Sequence, residues 1–210
     1  MQAQAERLGG GMDRPPVILS PYDAELFGHW WFEGPEFLRD VVLNFSNDPD
    51  VEMSTAQDFL EQCPPDKTVA LPEGSWGDKG DHRVWTNDYI NWMWDIEYRC
   101  EASFGKATLD LPWKQNPKIE QYLKNAGREL LLLQASDWPF VITRGQAVDY
   151  GIKRFMLHVS RFETMIDLAE KVSQDSAYLN RLSELEAHEV RDAELHDIIF
   201  QDIDLAWWAM

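Results

Sequence analysis

From Asn87 onward apolar residues recur at intervals of three and four, the spacing that lines one face of a helix. Asn87 is expected to cap a helix running to about Ser103, and Asn116-Pro117 to start another reaching Gln134. Gly145 or Gln146 should open a long one to Val172, and Asp175 or Ser176 a last one to roughly His196. The second half of the chain is therefore expected to be a helix bundle. Between its second and third helices, Ser136 to Gly145 (SDWPFVITRG) contains Pro139, which is expected to break helix and leave a Trp exposed at a turn.

The first half is patterned differently. QAQAERL looks like the end of a polar helix, GGG like a break, and DRPP like a loop, so the start is expected to be truncated. Val17 to Ser20 (VILS) is a short, fully apolar, β-rich run expected to form a buried strand with Pro21-Tyr22-Asp23 at its C-terminal end. Such a strand has no second strand obvious elsewhere in the chain, so residues 1–34 are not expected to pack as an independent core. Gly34-Pro35 predicts a helix through Asn47 carrying Phe37, Leu38, Val41, Val42 and Phe45. Ser54 or Thr55 predicts the cap of a shorter one, with Phe59 and Leu60, that stops at Pro64-Pro65. Residues 64–86 should be a Gly/Pro-rich loop containing Trp76 and Trp85.

Charge narrows the partners. Nineteen Lys and Arg stand against 37 Asp and Glu, a formal charge of −18, and a surface that acidic repels phosphate backbones. Nucleic acid and anionic membrane are excluded as partners, and a neutral ligand suits the protein better. With 44% apolar residues and 12% aromatic, the chain is too rich for a disordered acidic tail. No apolar run approaches the roughly 18 residues of a bilayer span. The N-terminus lacks the basic and apolar segments of a secretory signal. Cys63 and Cys100 form neither a disulfide framework nor a metal pattern, so they are expected to be reduced packing thiols in a cytoplasmic protein.

Ten tryptophans are more than core packing in a domain of this size calls for, although any one of them taken singly is more readily a core residue. Indole faces suit the apolar plates of sugar rings. Asp23, at the end of the expected strand, is the first candidate for chemistry, against the plain reading of a turn cap. Glu25, Phe27, Gly28, His29, Trp30 and Trp31 follow it, a density of acid, imidazole and indole that a turn does not need. Trp76 and Trp85 flank a Gly-rich loop lacking the Lys-Ser/Thr of a phosphate loop, so an aromatic flap over a neutral ligand is preferred. His188, Asp192 and His196 recur at i, i+4, i+8 and are chemically able to bind a transition metal, but among so many acids they are expected to be a solvated face. Asn44-Phe45-Ser46 is discounted as a glycosylation acceptor because it falls on a helix.

The run SPYDAELFGHWWFEGPEFL (Ser20 to Leu38) closely resembles glycoside hydrolase family 57, in its α-1,4-glucan branching enzyme group. The SDWPF motif of that family's helical C-terminal domain stands intact at Ser136 to Phe140, and its two loop tryptophans are similar to Trp76 and Trp85. The resemblance covers essentially the whole chain but only the last portion of the family's polypeptide. It implies a mainly α fold: a helical C-terminal domain preceded by the last β-strand and helix of a seven-stranded (β/α) barrel. Residues 1–50 would be the barrel's end, 51–86 an aromatic connecting region and 87–210 the helical domain. It implies further that Asp23 is the general acid/base, and that His29, Trp30, Trp76, Trp85, Asp137 and Trp138 bind α-1,4-glucan, with no metal and no cofactor. The family's nucleophilic Glu and its early His-Gln-Pro motif match no position here, so the chain alone should be inactive and needs the upstream barrel segment as partner. A family 57 α-amylase or 4-α-glucanotransferase segment, or a free-standing glucan-binding module, is the alternative.

Overall fold

The computed structural model describes residues 7, 14–195 and 199–209. The expected N-terminal helix end and glycine break over residues 1–13 lie outside these apart from Arg7, and so does His196. The chain divides into two compact units, Met1–Leu71 and Pro72–Met210.

In the first unit, among the described residues, no strand forms. Residues 17–20, expected as a buried strand, join no hydrogen-bonded ladder, and Val17, Ile18 and Leu19 are exposed. A fully apolar strand is stable only between neighbouring strands, and the barrel that would provide them is absent from this chain. After Asp23 the chain turns into a single π-helical turn, Leu26–Trp30. Helix α1, Gly34–Ser46, follows with Pro35 in its first turn, where the missing N–H has no intrahelical role. Gly34 is buried because Phe27 crosses it closely: a Cβ there would stand 3.1 Å from the Phe27 Cα. Much of the apolar pattern of α1 faces outward, with Phe37, Leu38, Val42 and Leu43 exposed. Helix α2, Ala56–Gln62, is capped by Thr55, whose hydroxyl accepts from the Asp58 N–H at 3.1 Å and donates to the Asp58 carboxylate at 2.7 Å.

The second unit holds the core. Helix α3 (Asn91–Asp110), α4 (Pro117–Leu133), α5 (Asp137–Thr143), α6 (Val148–Gln174) and α7 (Glu184–Leu195) pack around the long α4/α6 pair. Leu123, Ala126, Leu130 and Leu133 of α4 are buried with Phe155, Val159, Phe162 and Met165 of α6, and Met93, Cys100 and Phe104 of α3 belong to the same core. Burial raises the Cys100 thiol to about 11, aided by the nearby Glu163 carboxylate, so it stays protonated and apolar in behaviour. The C-terminal segment closes the bundle through Ile203 and Leu205, both buried. Gly127 lets it in, since a Cβ there would meet the Phe104 Cζ at 2.9 Å and the Ile203 Cγ2 at 3.2 Å.

Several expected boundaries move. Asn116 caps α4 as expected, its side chain accepting from the N–H groups of Lys118 and Ile119. Asn87 does not cap α3. It accepts from the Tyr89 N–H at 2.9 Å and sends its amide to the Thr143 hydroxyl at 2.9 Å, so it anchors a turn that delays the helix to Asn91. Pro139, expected to break helix, sits in the first turn of α5, where a proline costs no hydrogen bond. Gly145 has φ +69, a left-handed geometry that interrupts the chain and postpones α6 to Val148. Asp175 caps a 3₁₀ segment, Ser176–Arg181, before α7 begins.

Candidate functional site

The Asp23 motif is organised by its aromatic residues. Tyr22 meets Phe27 edge-on at 5.8 Å, Phe27 lies 5.9 Å from Trp31, and Trp31 lies 4.7 Å from Phe37 of α1. This run turns Phe27 and Trp31 inward and leaves Asp23, Glu25, His29 and Trp30 exposed. Leu26 N–H closes the turn onto the Asp23 carbonyl at 3.2 Å, a backbone bond, and the Asp23 side chain is exposed. His29 and Trp30 lie side by side, with ring centroids 5.5 Å apart.

In the helical unit the two loop tryptophans and the SDWPF segment come together. Trp76 and Trp85 pack edge to face at 4.9 Å, and both reach Phe140, at 5.4 and 6.3 Å. The indole N–H of Trp85 donates to the Ser136 carbonyl at 3.2 Å, while the Trp85 carbonyl accepts from the Trp94 indole at 2.8 Å. Trp76 stands on this base with 76% of its surface exposed, an apolar plate facing solvent. Beside it a depression of about 210 Å³ is lined by Trp76, Gly77, Asp78, Val84, Phe140 and Arg144.

A tight loop holds Trp76. The Ser75 hydroxyl donates to the Asp81 carbonyl and accepts from the Gly77 N–H, and Ser75 N–H donates to the Gly80 carbonyl at 2.9 Å. Gly80, at φ +74, makes that reversal possible. Hydrogen bonds from Arg83 hold the Asp81 carboxyl below its ordinary range, and the same pairing raises Arg83. Both charges are thereby spent on the loop itself.

Asp137 and Trp138 lie on the same segment but make other contacts. Asp137 is exposed in the first turn of α5. Trp138 is half-buried, donates to the Leu132 carbonyl at 2.8 Å, and stacks on His158 at 6.2 Å. Two residues not singled out in the sequence, Glu129 and His158, form a fully buried pair with 2.7 Å between Oε2 and Nδ1. Their signal was available: each is a polar residue on a largely apolar helix face, as are the buried Asn125 and Arg161. His188 lies 3.7 Å from Asp192, but Asp192 accepts from Arg161 at 2.7 Å and serves to tie α7 to α6. Among the described residues no group of three His, Cys, Asp or Glu is placed to hold a metal ion, and no helix is long and apolar enough to cross a membrane.

Residues 98–208, just over half of the chain, match the family described as "1,4-alpha-glucan branching enzyme, C-terminal". The chain belongs to that family. Its similarity to branching enzymes extends further: it is 38% identical over 172 residues to the 1,4-alpha-glucan branching enzyme of Thermococcus kodakarensis, covering 81% of this chain and 25% of that protein. A probable 1,4-alpha-glucan branching enzyme of Mycobacterium tuberculosis is 33% identical over 165 residues, 74% of this chain and 30% of the relative. The family 57 branching enzyme structure from Pyrococcus horikoshii superposes with a TM-score of 0.79 at 32% identity, over 99% of this chain and 38% of that one. An α-amylase of Thermotoga maritima gives 0.70 at 29% identity, over 100% and 36%. The branching enzyme segment thus spans between a quarter and two-fifths of these relatives' lengths.

Proposed function

We propose that this chain serves as part of a 1,4-α-glucan branching enzyme, carrying its general acid/base and an aromatic glucan-holding surface. Family membership supports the activity. The observation that carries the site reading is the ledge of Trp76, Trp85 and Phe140, in which two segments about fifty residues apart meet and part-buried Trp85 and Phe140 support the exposed indole of Trp76. A glucose ring offers a matching face of C–H groups.

Retaining transfer needs two carboxyl groups roughly 5–5.5 Å apart, one attacking the anomeric carbon and one protonating the departing oxygen. Asp23 takes the second role, and the nucleophilic Glu is supplied from outside these residues. When the α-1,4 bond breaks, the anomeric carbon becomes bonded to the nucleophile and the leaving 4-oxygen receives the Asp23 proton. The Asp23 carboxylate then removes the proton from the 6-hydroxyl of an acceptor glucose, whose oxygen displaces the nucleophile and forms the α-1,6 bond. Water competes for the same step. His29, Trp30, Trp76, Trp85, Asp137 and Trp138 are assigned to holding glucan and limiting that competition.

The likeness to the Thermotoga α-amylase keeps hydrolysis as the second reading. One experiment separates them: the complete polypeptide containing this chain is incubated with amylose, and new α-1,6 linkages and reducing ends are counted together. Reducing ends without α-1,6 linkages would refute branching.

A further inference from the structure

Beneath the SDWPF segment, the α4/α6 interface buries a polar chain in an apolar setting. Glu129 and His158 are both shut off from solvent, 2.7 Å apart, in the same interface as Leu130, Leu133, Val159 and Phe162. Arg154, one turn before His158 on α6, places Nη2 3.2 Å from the His158 Nε2. A guanidinium only donates, so Nε2 is the acceptor and the ring carries its proton on Nδ1, donated to Glu129. The imidazole is thereby held from both ends, in tautomer and in plane.

Trp138 lies on that plane, with ring centroids 6.2 Å apart and 28° between the rings. Tyr150 meets the Trp138 ring edge-on at 6.3 Å, and the Leu132 carbonyl accepts its N–H at 2.8 Å. Tyr150, Arg154 and His158 recur every four residues, so Trp138 rests across one ridge of α6. Two residues before Trp138, Ser136 presents the carbonyl that receives the Trp85 indole. Stability alone does not call for this arrangement, since replacing both partners of a buried hydrogen bond by apolar side chains of the same shape can be nearly neutral or stabilising.

We infer that Glu129 and His158 are positioning residues for glucan transfer: through Trp138 they fix the SDWPF segment at the place where Ser136 seats Trp85 in the aromatic ledge. The inference rests on the ledge binding glucan, as proposed above.

The test uses the complete polypeptide with Glu129→Leu/His158→Phe, Trp85→Ala, and all three changes combined. Replacing both buried partners by apolar groups of similar size removes donor and acceptor together, and Arg154, which gives up its bond to His158, is only part-buried, so the paired variant is expected to fold with a Tm near the parent's. It should nonetheless raise the ratio of hydrolysis to branching and the KM for acceptor, with the donor-cleavage kcat kept within about twofold. Combined with Trp85→Ala, its effect should fall short of additive by about threefold or more, because both act on one surface. Glu129→Gln, whose amide oxygen still accepts from Nδ1, should restore the parent's ratio. A paired variant with an unchanged ratio, or full additivity with Trp85→Ala, overturns the inference alone. Trp85→Ala with an unchanged ratio overturns the ledge reading and this inference with it. Should the paired variant not fold, His158→Gln is measured in its place, and an unchanged ratio there is equally fatal.

Discussion

Trp85 and Ser136 stand 51 positions apart in the chain and are joined by one hydrogen bond, indole N–H to carbonyl oxygen at 3.2 Å. That bond brings a loop rich in glycine and charge onto the first turn of a helix, and the exposed Trp76 is supported by what it brings together.

Separating the ring of Trp85 from its N–H tests the arrangement. Trp85→Phe keeps an aromatic body but frees the Ser136 carbonyl, and a typical hydrogen bond of this kind contributes about 1 kcal/mol. Trp85→Ala removes the support altogether, and Trp76→Ala removes the exposed plate. If the proposed function holds, in the complete polypeptide the ratio of reducing ends to α-1,6 linkages should rise in the order parent, Trp85→Phe, Trp85→Ala, with Trp76→Ala at least equal to the last. Unchanged ratios in both alanine variants would return these tryptophans to packing roles.

Two glycines should respond in opposite ways. A Cβ at Gly77 would lie 2.7 Å from the Trp85 Cζ3, and Trp85 is held in place by Ser136 and Phe140. Gly77→Ala is expected to cost roughly 1–3 kcal/mol in the loop and to displace the ledge, visible as a change in tryptophan fluorescence and in the transfer ratio. Gly105, inside α3, has open space where its Cβ would be. Gly105→Ala should raise stability by roughly 0.5–1 kcal/mol, measured by urea unfolding, and leave the fluorescence unchanged.

What the sequence made legible follows from how local each signal is. Asn116-Pro117 set the start of α4 because a cap and a first-turn proline act within three residues. Pro139 misled because a proline breaks a helix interior but suits a first turn, and which of these applies depends on where the preceding loop ends. Val17 to Ser20 carried the signature of a strand, yet a strand is a relation between segments, and its partners are not in this chain. Trp76 and Trp85 were recognisable as candidates from their spacing, but their union with Phe140 is a tertiary fact without a local signature. Glu129 and His158 were visible singly as polar residues in apolar faces, and only the α4/α6 register pairs them.

Two carboxyls should bend the pH dependence of stability in opposite directions. Burial on α3 raises Glu97 to about 7, with Glu101 adding repulsion. The folded state therefore binds a proton that the unfolded chain releases near 4.5, and stability falls as pH rises from about 4.5 to about 7. Burial also opposes ionisation of Glu186, but hydrogen bonds from Ser183, Lys171 and Tyr178 outweigh it and lower the group to about 2. Its contribution is complete above about 4.5 and is lost as pH falls through about 2. Tm measured against pH should show Glu97→Gln flattening the neutral-side decline, with a gain at pH 8 on the order of 3 kcal/mol. Glu186→Gln should flatten only the acid side. A Glu97→Gln profile parallel to the parent's would contradict the assignment.

The sharpest test of the proposed catalytic role is Asp23→Asn in the complete polypeptide. Asp23 is exposed at the end of an irregular segment, its backbone carbonyl closes the turn to Leu26, and its side chain supports no packing. The amide keeps the carboxyl's shape and leaves that backbone bond intact, so far-UV circular dichroism and Tm should match the parent's. What the amide lacks is a transferable proton for the departing 4-oxygen and a base for the incoming 6-hydroxyl. Acid/base assistance of this kind contributes roughly 10²–10⁴-fold, and because it serves both halves of the reaction, branching and hydrolysis should fall together. That sets Asp23→Asn apart from the tryptophan variants, in which hydrolysis gains at the expense of branching. A donor with an activated leaving group needs no proton at cleavage, so it should restore glycosyl-enzyme formation in Asp23→Asn while transfer to the acceptor hydroxyl stays slow. Unimpaired branching of amylose by Asp23→Asn would remove the acid/base assignment, and failure of the activated donor to rescue cleavage would place the role of Asp23 in binding.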